Sequence, residues 1–288
     1  MINIFKRLQN YKKLYLIYGL YSVIIILLNN FFYKIFKKRY LLGPIEYHKN
    51  YLKKKIVESS NSRILSGHYK NTYLYNKTDW SNFDLSSQLL GCYELQVQNL
   101  IVKVQKENNL KYFINIGSSD GYHTLGLIKN RFFDQAICYE IDSKARDILK
   151  LNLKENNIEN KVLIHREANI NQIKEDLKKI EINKTLFLID IEGDEFKIFS
   201  NENLSFLSKA FLIIEDHNFK IKDKKLIQNF YSLIKKNFNF ELIPNGARNP
   251  SDIEIGFFNE LSDDSKFLLL SEGRKEKMNW IFLSPKNH

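Results

Sequence analysis

The chain has 288 residues, 44% of them hydrophobic, enough to bury one large core with additions. Its formal charge of +11 lies in residues 1–55, where twelve Lys/Arg face one acid, Glu46, and the rest of the chain is neutral. That placement argues against a domain built to grip nucleic acid and for a basic N-terminal attachment segment. The only two cysteines, Cys92 and Cys138, exclude a disulfide framework and a cysteine metal site, so a reducing, cytoplasmic setting is expected.

Residues 1–56 read as a membrane-associating segment. The uncharged run 14–33 contains LYLIYGLYSVIIILL and is just long enough to span a bilayer, but Asn29 and Asn30 interrupt it. Equal numbers of cations on its two sides give no orientation, and no small-residue cleavage site follows. An in-plane helix on an anionic membrane, a single-pass anchor and an ordinary core helix all stay open; the flanking cations favour the first. Residues 57–109 read as a connecting, lid-like region in which His68, Tyr69, Tyr73 and Tyr75 are candidates to line a pocket, an ordinary packed surface segment being the favoured alternative. It ends in a helical pattern over 89–108.

From 110 to 288 the pattern alternates. Apolar runs at 112–116, 136–141, 161–165, 186–191 and 210–214 predict strands, and amphipathic stretches at 124–129, 143–155, 170–179, 195–206 and 224–236 predict helices. Runs at 240–243, 253–258 and 280–283 predict strands without helical crossovers. The expectation is an α/β, doubly wound, mostly parallel sheet with an antiparallel C-terminal strand and an N-terminal helical extension.

In such a sheet, polar residues at the carboxyl ends of the strands converge on one crevice. The first strand runs into Gly117-Ser118-Ser119-Asp120-Gly121, a turn through which a cofactor can approach backbone. The second ends in Glu140-Ile141-Asp142; an acid nineteen residues after Gly121 suits the two hydroxyls of a ribose. The fourth is followed by Asp190, Glu192, Asp194 and Glu195, crowded carboxylates that raise one another's pKa. Asp194 and Glu195 read as caps of the next helix, leaving Asp190 and Glu192 as candidates. The fifth closes with Glu215-Asp216-His217, which places His217 near Asp190.

The order FINIGSSDGYHT, ICYEID, LFLIDIEGDEF, LIIEDH over about residues 110–220 resembles the FkbM-like family of S-adenosylmethionine-dependent methyltransferases. The segments LLGCYE, PNGARNPS and LSEGR are similar to a subset of that family. The resemblance implies a Rossmann-like methyltransferase fold and methyl transfer to a hydroxyl of a sugar, glycan or similar small acceptor. It implies that Gly117, Ser118, Asp120 and Gly121 cradle the amino-acid and ribose portion of S-adenosylmethionine, that Glu140 and Asp142 serve the ribose, and that Glu167 and Ala168 lie by the adenine. His217, Asp190 and Glu192 are the catalytic candidates, His217 or Asp190 as the base. A divalent metal on Asp190, Glu192 and Asp216 is a less favoured variant. Asn115 stands where many methyltransferases carry an acid, and Leu188 where many relatives carry a lysine. The alternatives are an NAD-dependent oxidoreductase and a non-catalytic, membrane-attached nucleotide-binding protein; oligomeric state is not readable.

Overall fold

The computed structural model describes residues 2–36, 44–75, 84–199, 201–272, 274, 276 and 278–286. The chain forms two compact units, Met1–Glu58 and Ser59–His288. The first contains α1 (Ile2–Phe36) and most of α2 (Pro44–Ser60). At Gly19 the backbone leaves the helical region (φ 76, ψ 174), so α1 is two arms joined at a bend. The second arm is about 25 Å long at 1.5 Å per residue, against about 30 Å of bilayer hydrocarbon. No helix among the described residues is long and apolar enough to cross a membrane. Along that arm Leu20, Tyr21, Ile24, Leu27, Leu28 and Phe31 are exposed.

The second unit holds α3 (Leu85–Leu90), α4 (Leu95–Asn108), β1 (Tyr112–Ile116), α5 (Tyr122–Lys129), β2 (Gln135–Tyr139), α6 (Ser143–Asn156), β3 (Val162–His165) and α7 (Ile170–Leu177). It continues with β4 (Thr185–Ile189), α8 (Glu195–Ile198), α9 (Asn201–Leu207), β5 (Phe211–Glu215), α10 (Lys224–Asn237), β6 (Phe238–Pro244), α11 (Gly256–Asn259), α12 (Asp263–Leu270) and β7 (Asn279–Pro285). The seven strands make one sheet in the order β3-β2-β1-β4-β5-β7-β6, with β7 antiparallel to both neighbours and the first five strands mutually parallel. This is the doubly wound, mostly parallel architecture expected from the alternating apolar runs.

Alternation along each strand sends side chains to opposite faces. Ile114, Ile116, Phe187, Ile189, Leu212, Ile214, Ile281 and Leu283 form one core with Phe196, Phe199, Leu204 and Leu207 and with Phe230 and Ile234 of α10. The register sets Ile116 beside Tyr139 and Ile189, and Ile189 beside Ile214, so the carboxyl ends of β2, β1, β4 and β5 lie level. The strand order reverses between β1 and β4, which opens a crevice there.

Three expected elements differ. The stretch 253–258 is no strand: Asn249 accepts from the Ser251 amide at 3.1 Å to start a short 3-10 turn at Pro250, and α11 follows. The helix expected over 195–206 breaks at Phe199, whose extended backbone (φ −85, ψ 98) sends its ring against Phe230. The pattern at 89–108 is interrupted by Gly91 in the left-handed region, which ends α3 before α4 begins.

Candidate active site

The turn after β1 is held against both neighbouring strands. The amides of Gly117 and Ser118 donate to the Tyr139 carbonyl at 2.9 and 3.1 Å. Gly117 has φ +82, and a Cβ on it would lie 1.7 Å from the Asp190 carbonyl oxygen, so only glycine lets this turn touch the end of β4. Gly121, also left-handed, begins α5 and packs on Leu149. Asn115 is buried and donates to Thr124 Oγ1 at 3.1 Å, tying β1 to α5 where an acid was expected. Ser118 is buried with no hydrogen-bond partner for its hydroxyl. Burial pushes the Asp120 carboxyl up to about 6, against the opposing pull of the Tyr122 amide and His123.

Glu140 follows β2 with its carboxylate oriented by two backbone amides, Ser119 at 2.7 Å and Asp142 at 2.8 Å. Each oxygen keeps acceptor capacity for a ligand hydroxyl. Asp142 is engaged elsewhere, capping α6 by accepting from the amides of Lys144 and Ala145 at 2.7 and 2.9 Å. Ile141, between them, is 68% exposed, an apolar surface beside the Glu140 carboxylate. Glu167 is exposed and Ala168 half-buried on the loop after β3, at the same sheet edge.

Beyond β4 and β5 the expected convergence occurs, with a different division of labour. His217 is fully buried; its Nδ1 lies 3.0 Å from Glu195 Oε1, and its Nε2 faces Glu215 at 3.2 Å, Glu192 at 3.6 Å and Asp190 at 3.7 Å. Glu195 therefore does more than cap a helix: it is buried beneath the imidazole and also accepts the Gly193 amide at 2.9 Å. Burial pulls the His217 pKa down, but Glu195, Glu215 and Asp190 more than offset it and raise it to about 10. A group that holds its proton so firmly is a poor base at neutral pH. Asp190 is raised above the ordinary carboxylate range by burial and by the facing Glu215. Glu192, at φ +59, is also paired with Lys220. Asp216 turns away toward α10, accepting from the Asn218 amide nitrogens and the Tyr231 hydroxyl, so it does not join Asp190 and Glu192.

A buried ionic network, absent from the sequence reading, backs the crevice. Arg274 pairs with Glu94, with Glu215 at 2.6 Å and with Glu272 at 2.7 Å. Glu272 also accepts the Glu94 amide at 2.7 Å and pairs with Arg248, while His123 reaches Glu94 at 2.9 Å and the Tyr69 hydroxyl at 3.0 Å. Tyr69 is thus a fully buried packing residue, its ring against Gly126, in keeping with the packed-segment reading and not with a pocket wall. The signal for this network lay in LLGCYE, PNGARNPS and LSEGR, which carry Glu94, Arg248, Glu272 and Arg274.

Two cavities meet at this crevice. One, of about 130 Å³, is lined by the β1 turn with Asn115, Tyr122, His123, Leu188 and Trp280. The other, of about 390 Å³, is lined by Glu192, Glu215, Phe219, Lys220, Arg274 and Met278. Asp84, Tyr93, Glu94 and Asp190 border both.

No family model matches the chain, and no curated protein matches it. Solved structures do. The O-methyltransferase from Bacillus cereus in complex with SAH is 11% identical with a TM-score of 0.44, covering 90% of this chain and 97% of that one. The METTL16 methyltransferase domain is 12% identical with a TM-score of 0.46, covering 84% and 80%. Spermidine synthase from Thermotoga maritima is 17% identical with a TM-score of 0.43, covering 67% and 60%. The chain's own strand order, mostly parallel and reversing between β1 and β4, is Rossmann-like, a frame that hosts more than one chemistry.

Proposed function

We propose that the chain is an S-adenosylmethionine-dependent O-methyltransferase, FkbM-like, acting on a hydroxyl of a sugar, glycan or similar small acceptor. The observation that carries this reading is the junction at Asp190, where a cavity beside the glycine turn meets a larger, carboxylate-lined one. The donor belongs in the first. Gly117, Ser118, Asp120 and Gly121 surround its amino-acid portion, with the unpartnered Ser118 hydroxyl available to it. Glu140 would accept from the ribose hydroxyls, and the exposed Ile141 with Glu167 and Ala168 would border the adenine. The acceptor belongs in the second.

Methyl transfer needs sulfur, carbon and oxygen in line and a destination for the hydroxyl proton. S-adenosylmethionine held in the first cavity would supply an activated methyl group with a neutral thioether as its leaving group, and Asp190 would take the acceptor hydroxyl's proton. His217 and Glu195 hold the carboxylates in place, and Glu192 borders the acceptor. Calorimetry with S-adenosylmethionine and with NAD tests the reading: binding of the first is expected, and binding of NAD alone would refute it.

The N-terminal unit attaches the enzyme to the cytoplasmic face of an anionic membrane. Support comes from its cation excess and from the exposed apolar residues beyond Gly19. The full chain is expected to sediment with vesicles containing phosphatidylglycerol and to stay free of phosphatidylcholine vesicles. Equal binding to both would remove the electrostatic part of the argument.

A further inference from the structure

We propose that Asp190, Glu192 and His217 form a binding site for one divalent first-row transition-metal ion, of which manganese(II) is the suitable probe. One oxygen of each carboxylate and a ring nitrogen of His217 lie within 4.8 Å of one another. The Nε2 distances of 3.7 Å to Asp190 Oδ1 and 3.6 Å to Glu192 Oε2 are close to what a shared ion needs. Ligands about 2.1 Å from one cation sit roughly 3.0 to 3.4 Å apart, so the two distances from Nε2 need a contraction of only a few tenths of an ångström, and the two carboxylate oxygens, within 4.8 Å of each other, close by rotation of the exposed Glu192 side chain.

Independent of that spacing, His217 is wholly buried, and its Nε2, though 3.2 Å from Glu215 Oε2, makes no well-aligned hydrogen bond; neither does Asp190 Oδ1. Both atoms face the same space. On the far side of the ring, Glu195 takes Nδ1 at 3.0 Å, the carboxylate–histidine arrangement that fixes a ring so that its other nitrogen can ligate, the cation displacing the Nε2 proton. Glu192 reaches the cluster from a left-handed backbone, at φ +59. A donor set of one imidazole and two carboxylates, with no thiolate, fits manganese, iron or zinc better than calcium, which takes oxygen alone. Lys220 now holds Glu192, and a cation between the carboxylates would take over its role. Glu215, also near Nε2, keeps its second oxygen on Arg274 and serves as a neighbouring charge.

The catalytic consequence rests on the methyl-transfer reading: a cation beside the acceptor cavity would make an acceptor hydroxyl more acidic. The ligand site itself rests on geometry alone. The test is a titration of the full, chelator-treated chain with manganese(II), free ion being followed by its electron paramagnetic resonance signal. One ion per chain is expected. Glu192→Gln, at an exposed side chain where folding is not at stake, and Glu195→Gln, behind the ring, should each weaken binding about tenfold or more. No binding at millimolar ion, or binding unchanged in both variants, would overturn the site. Calorimetry with S-adenosylmethionine on the same metal-free protein keeps the two readings apart, since loss of donor binding would sink the methyl-transfer reading and leave the ion titration standing.

Discussion

Replacing Asp120 by Asn removes a carboxyl that is only 3% exposed and whose pKa burial pushes from 3.8 to about 6. The shift of about two units corresponds to about 3 kcal/mol. Between the unfolded and folded values, the folded chain binds more protons than the unfolded one at this group. Stability therefore falls as pH rises from about 4 to about 6, and above that the whole penalty persists. Asn keeps an acceptor for the Tyr122 amide, now 3.3 Å from Oδ1, and carries no charge to desolvate. The variant should thus exceed the parent in stability by up to about 3 kcal/mol at pH 7.5 and match it near pH 4. Urea unfolding of both proteins at pH 4, 5, 6 and 7.5 measures this directly. A difference that does not change with pH, or a less stable variant at pH 7.5, would refute the reasoning.

Gly117→Ala forces a methyl into the Asp190 carbonyl and should cost more than about 3 kcal/mol in chemical unfolding while abolishing donor binding by calorimetry. Glu140→Ala removes an acceptor for two ribose hydroxyls, so S-adenosylmethionine affinity should fall about 10- to 100-fold, read by the same method. Arg274→Met leaves Glu94, Glu215 and Glu272 without their shared cation. Denaturant titration should show a loss of about 3 to 5 kcal/mol, part of it recovered by adding Glu94→Gln.

The parallel half of the sheet was legible because β1, β2, β4 and β5 are apolar runs buried on both faces over most of their length, and such runs are hard to mistake when helices separate them. Residues 253–258 deceived for a related reason: a short apolar run has no length to separate a strand from a packed turn, and the Asn249-Pro250 start decides locally. The strand-end candidates Gly117, Glu140, Asp190 and His217 could be placed because topology brings strand ends together whatever the side chains do. What topology does not give is which carboxylate a histidine chooses. Glu195 read as a helix cap, yet the break at Phe199 leaves α8 so short that its first residue turns beneath His217. Glu94 and Arg274 meet across 180 positions of sequence, a separation at which no periodicity carries information.

That separation also bears on how the protein comes into being. As the chain emerges from the ribosome, Glu94 and Glu215 are synthesised well before Arg274, and β7, which separates β5 from β6, comes later still. Until then those carboxylates remain hydrated and the crevice has no back wall. Domains otherwise fold progressively from the N-terminal side during synthesis. Here the nascent chain must wait, since a chain ending before residue 274 would lack both the cation shared by Glu94 and Glu215 and the strand that joins β6 to β5.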